Sequence, residues 1–145
     1  MFKIGDDDAF AQVELGHKSQ LYHLTQLSGS WGDVLPSQIY YRAMGHLVDA
    51  VLGNFVHSVQ KLDDIPEAVA HQLHYLLSLL FESSRVFAAS TVDRNQESKQ
   101  TEVKDVKPES YCRHWVKAQA VAVLLVCLLL NLCLGSNMFN YVQPA

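Results

Sequence analysis

His71 and His74 stand one helical turn apart, and His46 and His57 lie on the stretch before them, so metal binding is the first chemistry to weigh. Zinc needs three or four donors converging from Cys, His or carboxylate side chains. These histidines supply an i,i+3 pair and two scattered rings, which is the pattern of solvated surface histidines, and no metal is expected. Cys112 and His114 make a second isolated pair beside a charged stretch. Ser28 and Ser30, among Gly29 and Gly32, lack the G-x-S-x-G pattern of a nucleophile elbow. Those glycines are also not followed by the Lys and Ser/Thr of a phosphate loop. Asp6, Asp7 and Asp8 lack calcium-loop spacing, but they suit the positive end of a helix. No catalytic residue and no cofactor emerges, so the chain reads as a non-enzyme. What remains is aromatic. Trp31 and Tyr41 are the candidates for a partner interface, because aromatic side chains dominate such sites. Core packing at a helix joint is the stronger reading for Trp31 and Tyr40, whereas Tyr41, one position off the apolar stripe, is the better interface candidate.

The elements that would position these groups are all helical. Phe10, Val13, Leu21, Leu24 and Leu27 form a loose apolar set over residues 8–27, and residues 28–33 carry the small residues of a loop. Trp31 would then cover the joint. Pro36 fits the first turn of a second helix, with Asp33 just upstream. Ile39, Ala43, Leu47, Val51, Phe55 and Val59 recur every four residues, with Met44, Val48, Leu52 and Val56 beside them, predicting an amphipathic helix to about Lys61. Asp63 or Asp64 would cap a third helix with Pro66 in its first turn. On it Val69, Leu73, Leu76, Leu77, Leu80 and Phe87 line one face. The short corner predicts that the second and third helices zip together as an antiparallel hairpin. An aspartate at either Leu47 or Leu76 should then unfold the body. The fold class is therefore all-α, an antiparallel three-helix bundle over residues 1–88.

Residues 89–110 are rich in mixed charge and nearly free of apolar side chains, so they read as a flexible linker. Residues 111–145 form a tail with an apolar helix. Its core, residues 118–135, carries no charge and would span about 27 Å, near the roughly 30 Å of a bilayer interior. Arg113 and Lys117 precede it, as they would for a span entered from the cytoplasm. Three readings stay open: a membrane anchor, a buried helix that closes the bundle, and a variant or spurious ending. Net charge is −4 and no basic block occurs, which excludes a nucleic-acid footprint. The three cysteines all fall late and suit a reducing compartment without disulfides. The acidic start excludes a secretory signal.

The string W-x-DVLP-x-x-IY-x-x-AMG-x-L stands here as Trp31, Asp33 to Pro36, Ile39, Tyr40, Ala43 to Gly45 and Leu47. It resembles the C-terminal region of the Zeste-white-ten family, large helical subunits of kinetochore and vesicle-tethering complexes. Weaker likeness runs collinearly from Asp6 to Leu27 and from Lys61 to Phe87, with an echo to Tyr111 and Trp115, and it ends near Lys117. The resemblance implies a helical scaffold without the family's N-terminal coiled-coil half. It implies two sets of protein partners: a Rod–Zwilch-like kinetochore complex and a Rint-containing tether of Golgi-to-ER vesicles. The location implied is cytoplasm, kinetochore and the peripheral ER membrane, with residues 118–135 as an anchor if they span. The resemblance assigns no role to any individual residue.

Overall fold

The computed structural model describes residues 7–88 and 106–140, with side chains as far as residue 131. Its described residues are mostly helical, with no strand among them. Five helices follow in order: α1 (Asp7–Gly32), α2 (Ser37–Gln60), α3 (Glu67–Phe81), the short α4 (Arg85–Ala88) and α5 (Arg113–Asn140). One-turn 3₁₀ segments join α3 to α4 at Glu82–Ser84 and lead into α5 at Pro108–Ser110.

Helix α1 opens with Asp7 and Asp8 in its first turn, where carboxylates complement the positive end of the macrodipole. It runs straight through residues 28–32, which sequence composition assigns to a loop. Small polar side chains along this stretch bond back to the helix itself. The Thr25 hydroxyl donates to the Leu21 carbonyl at 2.9 Å and that of Ser30 to Gln26 at 3.1 Å. The helix closes at Trp31, whose carbonyl accepts the N–H groups of Val34 and Leu35.

Helix α2 starts directly after Pro36, and the carbonyl of Pro36 accepts the N–H groups of Ile39 and Tyr40. Its buried face is Tyr40, Met44, Val48, Leu52, Phe55, Val56 and Val59, with Tyr41 and Gly45 on the adjoining side. The every-four row predicted to lead this face fails at its beginning, since Ile39 is 54% exposed. Four residues advance the helix by 400°, so each step overshoots by about 40° and five steps rotate the row by about 200°. Ile39 and Val59 therefore cannot share a face. Helix α3 needs no such correction: Val69, Leu73, Leu76, Leu77 and Leu80 are all buried, as is Phe87 just beyond it. Its start is uncapped by any side chain; Asp64 instead accepts the N–H of Ile65 at 2.9 Å, within the connection.

The packing of α2 and α3 differs from a hairpin. Helices α1 and α5 each pack against both α2 and α3, while α2 and α3 hardly approach one another. The four long helices therefore occupy the corners of a square in the order α1, α2, α5, α3, and the sequence neighbours α2 and α3 sit on a diagonal. Contacts along the helices give the directions. Ser28 meets Tyr40 while His17 meets Phe55, so α1 and α2 are antiparallel. Phe87 stacks on Tyr111 while Phe81 meets Trp115, so the α3 side and α5 are also antiparallel. The connection from Lys61 to Pro66 is long enough to cross the diagonal, which a tight turn would not be. Both inner faces then need a fourth helix, and α5 supplies it through Trp115, Ala118 and Leu125.

Residues 106–110, the end of the expected linker, belong to this packed body: Val106 lies against the core and Pro108–Ser110 forms a turn. The remainder of that linker, residues 89–105, lies outside the described residues.

One buried hydrogen-bond chain ties three elements together. The Tyr40 hydroxyl lies 2.7 Å from the Val86 carbonyl and 2.6 Å from the Ser28 hydroxyl. A carbonyl only accepts, so Tyr40 donates to Val86 and Ser28 must donate to Tyr40. Burial raises the Tyr40 pKa, against the opposing effect of the Ser28 bond. Tyr40→Phe strands both partners, and urea unfolding should show a loss of about 2 kcal/mol at unchanged helicity.

Candidate interaction surface

Helices α2 and α5 meet at a close joint built from specific side chains. Gly45, Asp49 and Gly53 recur every four residues along α2 and receive the chain entering α5. A Cβ on Gly45 would stand 2.6 Å from the Tyr111 Cβ and 2.9 Å from its carbonyl oxygen. A Cβ on Gly53 would meet the His114 ring at 3.2 Å. Between them Asp49 reaches the start of α5, its Oδ1 accepting the His114 N–H at 2.7 Å. The first N–H groups of a helix lack internal partners, so this carboxylate from another helix does the work of an N-cap.

Burial is the largest single influence on the Asp49 carboxyl and pushes its pKa up. The backbone N–H of His114, its ring, its charge and the N–H of Arg113 together outweigh that, and the net pKa lies below the ordinary 3.8. A second group shifts in the same direction. His17 packs edge-on to Phe55 with a buried, unpartnered Nε2, and burial holds its pKa below the ordinary 6.5. In both cases the unfolded chain takes up a proton at higher pH than the folded one, so stability rises with pH. The His17 contribution is complete above pH 6.5 and is lost as the pH falls through its lower folded value. The Asp49 contribution persists until the pH drops below 3.8 and then disappears. Urea titrations across that range should show two successive losses, with the upper one absent in His17→Leu.

Cys112, His114 and Asp49 bring together the residue types of a nucleophile site, and their chemistry argues against one. The Cys112 thiol donates to the Gly45 carbonyl at 3.4 Å and is buried. Burial, with the nearby charges of Asp49 and Glu109, pushes its pKa up to about 12. A nucleophilic cysteine needs the reverse shift. The His114 Nδ1 lies 3.1 Å from Asp49 Oδ1 but off the axis of a hydrogen bond. These groups lock a helix joint.

The candidates named from sequence fall in different places. Tyr41 is only 7% exposed, with ring centroids 5.4 Å from Tyr40 and 5.7 Å from Tyr111. It is a core residue, and the expectation that it faces a partner is corrected. The side of α2 next to the main stripe is covered by the approach to α5, which that expectation did not anticipate. Trp31 is half-buried at the end of α1, packed against the edge of the core. His46, His57 and His71 are exposed, His74 is half-buried, and His71 lies 4.0 Å from the Glu67 carboxylate. Among the described residues no three His, Cys, Asp or Glu side chains converge. A cleft of about 240 Å³ between α1 and the α3–α4 turn, floored by Leu21, Leu24 and Val86, holds the unpartnered Ser83 hydroxyl.

The outer side of α5 carries several exposed apolar side chains. Val116, Val123, Leu124 and Leu130 are each more than half exposed on a helix whose opposite side is in the core. Residues Arg113–Asn131 are long and apolar enough to cross a membrane by length and composition. In the fold, however, one side of this helix is the fourth wall of the bundle.

A family model for the ZW10 C-terminal helical domain matches residues 17–133. The chain belongs to this family. The match extends into α5 as far as residue 133, past Lys117 where the sequence likeness was expected to stop. The ZW10-type domain here is similar to the centromere/kinetochore protein zw10 homolog of Rattus norvegicus, with 25% identity over 120 residues. The Mus musculus homolog is 24% identical over the same length. Each alignment covers 83% of this chain and 15% of the relative, so the chain spans a small part of the curated relatives it matches. No solved structure matches.

Proposed function

We propose that this ZW10-type domain is a non-catalytic scaffold segment that holds other proteins in a kinetochore assembly of the Rod–Zwilch kind. In that setting it would support dynein recruitment and the spindle checkpoint. A Rint-containing tether for Golgi-to-ER vesicles is the second assembly in which the same segment would serve. The family match over residues 17–133 is the observation that carries this reading. The chemistry agrees with it, since the Cys112–His114–Asp49 grouping is a helix joint whose buried thiol has its pKa pushed up to about 12. Trp31, half-buried at the end of α1, is proposed as one contact to those partners.

Tagged full-length chain expressed in dividing cells tests the proposal. Enrichment at mitotic kinetochores, with co-purification of Rod and Zwilch and loss of both in Trp31→Ala, is the expected result. Recovery with membranes in a form resistant to alkaline extraction, with no kinetochore signal, would replace the scaffold with a tail-anchored protein.

A further inference from the structure

We draw no further inference here: the strongest candidate, the cleft between α1 and the α3–α4 turn with the unpartnered Ser83 hydroxyl in its wall, is lined by the opposite charges of Glu82 and Arg85 alike, and nothing in the structure shows what would occupy it.

Discussion

Leu76→Asp should unfold the domain, whereas Leu47→Asp should leave it folded. Leu76 is 1% exposed on the inner side of α3, the helix that α1 and α5 both cover. A carboxylate there has neither water nor a cation, so it must be buried unpaired, take up a proton, or force the helices apart. Each route costs more than about 4 kcal/mol, close to the entire stability of many domains this size. Leu47 is only half-buried, packed at the edge of the core. Its carboxylate can turn outward, and the loss should be about 1–2 kcal/mol. Circular dichroism melts separate the two outcomes. A hairpin with both leucines in one dry seam predicts that the variants behave alike.

Gly45→Ala is expected to destabilise the protein by about 3 kcal/mol, although alanine is the better helix former by about 1 kcal/mol. The new methyl would collide with the Cβ and the carbonyl oxygen of Tyr111, and backbone cannot step aside as a side-chain tip can. Relief requires the chain entering α5 to move outward. That lengthens the Asp49 bond to His114 and lifts Trp115 from Phe81. Gly16 and Gly29 on α1 provide the opposite sign, since a Cβ at either meets nothing within 4 Å. Gly16→Ala and Gly29→Ala should each add about 0.5–1 kcal/mol. Urea unfolding of the three variants reads the contrast directly, and a stabilised Gly45→Ala would mean that the α2–α5 approach is looser than described.

What the sequence discloses here divides by the range of the physics involved. The helical class, the inner side of α3 and the acid-rich start of α1 follow from local periodicity and the macrodipole, and all can be read from spacing. The end of α1 could not be read in this way. Ser28 and Ser30 look like loop residues until a hydroxyl on another helix, that of Tyr40, gives Ser28 a buried partner. The capping of α5 is equally non-local, because Asp49 is 65 residues away from the N–H it accepts. One signal was available for that joint. Gly45 and Gly53 flank Asp49 at helical spacing, which marks a place where another backbone comes near. The diagonal placement of α2 and α3 has no signature in either helix alone. It follows only once α5 is counted as a wall of the bundle, and a run apolar on every side does not announce which neighbours will cover it.

The central claim is that the first half of α5 is the fourth helix of a single cooperative bundle. Native-state hydrogen exchange on the full chain tests it most directly. Amides from His114 to Leu125 should open with the same free energy as those of α2 and α3, and Gly45→Ala should lower all three together. Amides of α5 exchanging at least ~100-fold faster than those of α2 and α3, and indifferent to Gly45→Ala, would contradict it.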